Sequence, residues 1–273
     1  MNFKDLVVSE FHRLGRGWSG GGTIANGYFY EAGGKEILIA RRDLTSGKMV
    51  GEPIVTKIPT SIHDLSYDHF TDTLWCSPGG GLQEYWQITM SGRSISKIPR
   101  PKHGYGICCA NGTSGMMWCA DQENNQIVCI STITGSKFAR HVPLNFPPRG
   151  VAKVGSDFWV TYAGGQSDPG GGHLYRVDAT GKKLNDFDIP GSVGDDGGLS
   201  VDDEGCLWMV GGKKQPIYRI DIKKVTGVIP EPVTPPSPSP VTPPEEDVIE
   251  NILRRLNILE EFVATHSMFD NCN

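Results

Sequence analysis

Short apolar runs, broken by glycine and by small polar residues, recur along the first 230 positions in one repeated order. Four stretches overlay directly. The first runs Asp64-Leu65-Ser66, Leu74-Trp75-Cys76, Trp86-Gln87-Ile88, Gly92 and Ile98-Pro99. The second runs Gly106-Ile107-Cys108, Met117-Trp118-Cys119, Val128-Cys129-Ile130, Gly135 and Val142-Pro143. The third runs Gly150-Val151-Ala152, Phe158-Trp159-Val160, Tyr175-Arg176-Val177-Asp178, Gly181 and Ile189-Pro190. The fourth runs Gly198-Leu199-Ser200, Leu207-Trp208-Met209, Tyr218-Arg219-Ile220-Asp221 and Gly227. A degenerate copy precedes them, with Gly22-Thr23-Ile24, Tyr28-Phe29-Tyr30, Ile39-Ala40-Arg41-Arg42-Asp43, Gly47 and Ile58-Pro59. The period is about 42 to 48 residues, in the range of a four-stranded propeller blade.

Each part of the repeat has a physical role. A small residue opens the innermost strand, where strands crowd around an axis. An aromatic on the second strand packs between neighbouring sheets, so Trp75, Trp118, Trp159 and Trp208 are expected to be buried. The glycine supplies the positive φ of a tight hairpin before the outer strand. The predicted fold is therefore all-β, a five-bladed β-propeller over residues 1–229, whose radial closure shields its sheet edges. The last copy has no room for an outer strand, because Pro230 follows Gly227 almost at once. The first strand, about Leu6 to Leu14, has no inner partners of its own. It is expected to supply the missing outer strand of blade five and close the ring.

Beyond the repeats the pattern changes twice. Residues 230–244, PEPVTPPSPSPVTPP, can form no core and predict an extended polyproline spacer of about 3.1 Å per residue, or a disordered linker. Residues 245–273 open with Glu245-Glu246-Asp247, favourable at a helix start. Ile249, Ile252, Leu256, Leu259 and Val263 then recur at helical spacing. So wide an apolar face on a short helix is not stable alone in water. It predicts burial against other copies of the chain, a larger partner, or the propeller itself. Isoleucine and leucine at both seam positions favour a trimer.

Composition narrows the classes. The 35 glycines and the 38% hydrophobic share suit a turn-rich β fold with a sizeable core. A formal charge of −5 with no basic stripe argues against a nucleic-acid partner. No apolar stretch of about eighteen residues predicts a membrane span. The opening Met1-Asn2-Phe3-Lys4-Asp5-Leu6 lacks a signal-type apolar run, so synthesis in a cytoplasm is expected. Seven cysteines without a CxxC pair point to reduced thiols rather than a disulfide framework or zinc site. Cys76 and Cys119 read as core fillers.

The set Pro148-x-Gly150-Val151, Phe158-Trp159-Val160, Arg176-Val177-Asp178, Gly181 and Ile189-Pro190 resembles the NHL and streptogramin-lyase-like propeller repeats. The resemblance covers about residues 6 to 230. It implies a propeller, usually of six or seven blades, so five is a departure. A lyase of that type would need histidine and glutamate around a divalent cation facing the channel. The Glu-x-His of this chain, Glu10-Phe11-His12, falls on the expected outermost strand.

Propeller ligands are usually met at the end of the channel where loops enter the inner strands. There the sequence offers Trp18, His63, His103, Tyr105, Arg149 and Asp196, a polar ring with aromatic walls that suits a sugar or a peptide; the same loops could instead merely cap the channel. No cofactor or metal is expected, and no GxSxG, P-loop or HExxH motif is present. Propeller head, proline stalk and oligomeric foot together resemble an accessory spike, fibre or decoration protein of a bacteriophage particle. A non-enzymatic display module on a capsid or tail, binding a host surface glycan or protein, is the expectation. The rival readings are a cytoplasmic protein-binding scaffold and a metal-dependent lyase or hydrolase.

Overall fold

The structure is a computed structural model, and it describes residues 2–11, 19–33, 37–109, 115–163, 172–189, 198–210 and 216–226. The chain divides into two units, Met1–Val233 and Thr234–Asn273. The second unit lies wholly outside the described residues, and with it Ile249, Ile252, Leu256, Leu259 and Val263.

The first unit is a five-bladed β-propeller, each blade a four-stranded antiparallel sheet. After a helical turn α1 (Phe3–Leu6) comes β1 (Val7–Phe11). Blade one holds β2 (Ser19–Ala25), β3 (Tyr28–Gly33), β4 (Leu38–Asp43) and β5 (Ile54–Val55). Blade two holds β6 (Ile62–Asp68), β7 (Thr73–Pro78), β8 (Glu84–Thr89) and β9 (Ser94–Pro99). Blade three holds β10 (Ile107–Cys109), β11 (Met116–Asp121), β12 (Gln126–Ser131) and β13 (Lys137–Pro143). Blade four holds β14 (Val151–Val154), β15 (Asp157–Ala163), β16 (Gly172–Val177) and β17 (Lys183–Ile189). Blade five holds β18 (Leu199–Val201), β19 (Leu207–Val210) and β20 (Ile217–Ile220), followed by a second helical turn, α2 (Lys223–Thr226).

Its fourth strand is β1, paired antiparallel to β20 from Val7↔Ile220 to Phe11↔Ile217. The ring thus closes through the N-terminal strand as the count of strands requires. One detail differs from the repeat reading. In blade one the outer strand is Ile54–Val55, paired with Leu38 and Ile39, and Ile58 lies beyond it. Just past that pairing the Thr56 amide and hydroxyl both donate to the Ile37 carbonyl.

The four blade tryptophans are buried, between 0% and 7% exposed, so they serve the core and do not present a stacking surface. Two of them pack across a junction between blades. Trp118 meets Phe158 of the next blade edge-on at 4.8 Å. Trp208 is flanked by Phe11 and by Phe29, each stacked at 5.3 Å. The six described cysteines are free thiols, five of them buried. Burial raises the thiol pKa of each, that of Cys108 to about 11, so none is a ready nucleophile at neutral pH.

Around the axis the inner strands touch through backbone. A Cβ on Gly106 would lie 2.1 Å from the Arg149 carbonyl oxygen, and one on Gly198 would lie 2.5 Å from the Gly21 Cα. Side chains then tie one inner strand to the next. The Tyr67 amide donates to Thr23 Oγ1, the Cys109 amide to Ser66 Oγ, and the Lys153 amide to Cys108 Sγ. The series stops at Ala152, whose methyl group accepts nothing. Blades four and five are joined there by an apolar cluster of Ala152, Trp159, Leu174, Phe187, Leu199 and Met209, to which α1 adds Phe3 and Leu6.

Candidate functional site

The loops that enter the inner strands bring three of the six predicted residues into contact and set a fourth beside them. His63 sits at the start of β6, in an irregularity between the Ile62 and Asp64 pairings that turns it out of the ladder. Its ring lies against Gly79, where a Cβ would stand 2.0 Å from Nε2, so only glycine leaves room for the imidazole. Tyr105, on the loop into blade three, stacks on His63 with ring centres 4.9 Å apart and planes 20° apart. His103 approaches Tyr105 edge-on at 6.3 Å and holds a φ of 55°, the left-handed turn that points it outward from the loop. The loop is pinned by the Gly104 carbonyl, which accepts from the Tyr85 hydroxyl at 2.9 Å.

Arg149 opens blade four. Its amide donates to the Thr161 carbonyl, and its own carbonyl is pressed against Gly106, next in sequence to Tyr105. Trp18 and Asp196 lie outside the described residues. His63 and Tyr105 are half-buried and His103 is exposed, so rings and imidazole edges are reachable from solvent.

Two further residues belong to this end and are not evident from the repeat. Arg100 follows Pro99 at the close of blade two's outer strand and is 7% exposed. Its guanidinium lies 5.1 Å from the Tyr105 ring centre, while Nη1 donates to the Pro78 carbonyl at 2.5 Å. Burial pulls its pKa below the ordinary value, with Tyr85 and Tyr105 acting the other way. The second is Asp64. It stands where other blades have glycine, fully buried at the axis. Its Oδ1 accepts from the Leu65 amide and Oδ2 from the Ile107 amide, each at 2.9 Å. A Cβ on Gly21 would fall 1.8 Å from Oδ1. Asp64 therefore bonds blade two to blade three beneath the His63–Tyr105 pair and turns its carboxylate inward. The site is built from two imidazoles, a phenol and the Arg100 guanidinium, a set rich in hydrogen-bond donors that favours anionic or hydroxyl-rich ligands.

No family model matches the chain, and no curated protein matches its sequence. Many solved structures match its fold. A glutaminyl cyclase of Myxococcus xanthus is similar over 78% of this chain and 94% of its own, with 14% identity and a TM-score of 0.59. A nidogen/laminin complex is similar over 74% of each chain, with 14% identity and a TM-score of 0.51. A streptogramin B lyase is similar over 74% of this chain and 65% of its own, with 20% identity and a TM-score of 0.45. At such identities the first two likenesses bear on the propeller fold and say nothing about its ligand, since one fold carries many functions. The first is a cyclase and the second a two-protein complex by name, which illustrates the point.

Proposed function

We propose that the chain is a non-enzymatic binding and display module, whose propeller takes a surface glycan at the His63–Tyr105 end. The observation that carries this reading is the stacked pair itself. A half-buried phenol stacked on His63, with His103 at its edge and the Arg100 guanidinium 5.1 Å from its ring centre, brings aromatic rings and hydrogen-bonding groups together at the channel end. Saccharides are recognised by such combinations of aromatic and hydrogen-bonding side chains. Against catalysis stands the placement of carboxylates. Asp64 is occupied by backbone amides, and Glu10 of the Glu-x-His lies on β1, the outermost strand of blade five.

The display half rests on the sequence of residues 230–273, a proline spacer followed by an apolar helical face. The proposal keeps that architecture and stops short of a virion, for which neither the fold nor the likenesses offer support. Light scattering on the full chain should give a multiple of the 29.7 kDa protomer, with a trimer favoured. An Ile252→Glu, Leu256→Glu double variant should return it to a folded monomer. A monomeric wild type removes the self-assembling foot.

The ligand is tested on an array of surface oligosaccharides, acidic and neutral. Retention of a defined saccharide class is expected, and Tyr105→Ala should weaken it at least tenfold, about 1.4 kcal/mol. His63→Ala should act in the same direction. Binding that survives both variants, or retention of peptides alone, overturns the glycan reading.

A further inference from the structure

We infer that blade four carries a divalent transition-metal site formed by His173, Asp186 and Asp188, apart from the site at the channel end. The three residues come from two neighbouring strands. His173 on β16 stands directly opposite Asp188 on β17, and Asp186 lies two residues along β17 on the same side. The intervening Phe187 turns the other way, into the core against Trp159. Both carboxylates converge on one ring nitrogen. His173 Nδ1 is 3.2 Å from Asp186 Oδ1 and 3.1 Å from Asp188 Oδ1, and all three donor atoms fall within 4.8 Å of one another.

That convergence is the argument. A single Nδ1 carries one lone pair or one N–H, so it cannot give each carboxylate a full hydrogen bond of its own. Two carboxylates at such spacing also repel, and a cation between them removes the conflict. Donors of a tetrahedral ion with bonds of about 2.1 Å lie about 3.4 Å apart, so the two nitrogen–oxygen separations are close to those that coordination needs. One imidazole with two carboxylates suits zinc, cobalt or nickel ahead of magnesium or calcium, whose ligands are oxygen.

The ring is held ready rather than free to swing. His173 stacks on Tyr162 at 6.0 Å and on Tyr175 at 5.4 Å, and Tyr162 is its direct partner on β15. Tyr162, His173 and Asp188 thus form one rung across three strands. Asp186 and Asp188 also border an open hollow with Asn2, Phe3, Lys4 and Asp5, which leaves water room to complete the coordination shell. Other charges nearby are Lys183, 3.4 Å from Asp186 Oδ2, Lys4 across the hollow, and Asp5, whose carboxylate accepts from the Asn2 amide. Lys183 is the competing cation for Asp186, whereas Asp188 is 83% exposed and remains available.

Zinc chloride titrated calorimetrically into the full chain at pH 7.5 should show one equivalent bound. Cobalt should give the visible absorption of a nitrogen–oxygen site. His173→Ala and Asp188→Asn should each lower zinc affinity more than tenfold while circular dichroism stays unchanged. Asp188→Asn is the safer variant, because so exposed a side chain contributes little to folding. Absence of zinc uptake up to millimolar concentration overturns the site. So does uptake that both variants leave unaltered, because it would place the metal on other histidines or cysteines.

Discussion

Deleting residues 2–11 is expected to abolish cooperative folding of the propeller. Those residues supply the fourth strand of blade five, and no other described strand lies beside β20 on that edge. Leu6 is fully buried, and Phe3, 3% exposed, packs edge-on against Tyr218 at 5.3 Å. Burial of two such side chains stabilises by roughly 1.5–3 kcal/mol each. The backbone pairing of β1 with β20, and the Asp221 amide's bond to the Leu6 carbonyl, add to that. The sum is comparable with the whole stability of an ordinary domain, about 5–15 kcal/mol. Loss of β1 would also leave β20 as a bare edge, which templates association with other chains. Expression should therefore yield insoluble protein, or soluble protein without near-ultraviolet circular dichroism. Addition of a peptide spanning residues 2–11 should restore part of that signal by pairing with β20. A truncated chain that unfolds in urea within about 0.5 kcal/mol of the full one would mean that closure does not depend on this strand.

Trp208→Ala should be the most damaging single substitution at a blade tryptophan. The indole fills the space between the closing strand and blade one, stacked on Phe11 with planes 4° apart and on Phe29 with planes 20° apart. Its Nε1 donates to Asp202 Oδ2 at 2.8 Å, and the same oxygen accepts from Arg219. Truncation leaves a cavity at the one junction where the ring is closed by non-consecutive chain. The expected cost is about 3–5 kcal/mol, read from urea unfolding followed by circular dichroism. Trp208→Phe keeps much of the stacked area and should cost less. If alanine costs under 1 kcal/mol, the junction does not rest on this side chain.

The candidate site was legible only in part. Once the repeat shows which loops enter inner strands, His63, His103, Tyr105 and Arg149 fall at one end of the channel by position alone, and three of them prove to be in ring contact. Arg100 carries no signal, because it follows a strand-ending proline and reaches the site only by folding under Tyr105. His173, Asp186 and Asp188 are an ordinary mixture of loop and strand residues in sequence. Their meeting depends on the exact pairing of β16 with β17, which turn length and bulge determine.

What the amino-acid sequence determined by itself was the architecture. Five copies of one rung, each with an aromatic on its second strand and a turn glycine, leave radial closure as the arrangement that buries every sheet face, and the missing outer strand identifies β1 as the closing strand. Those inferences rest on periodicity, which is local and repeated, so each copy confirms the others. The tertiary structure alone decided what happens where copies differ. Blade one's outer strand lies at Ile54–Val55, paired with Leu38 and Ile39, although Ile58-Pro59 matches the repeat's apolar–proline pair. Asp64 replaces a glycine at the axis, and its carboxylate can be buried because amides of two blades bond it and glycines at 21 and 198 leave it space. A buried charge is tolerable only with such partners, and they come from blades one, two, three and five at once.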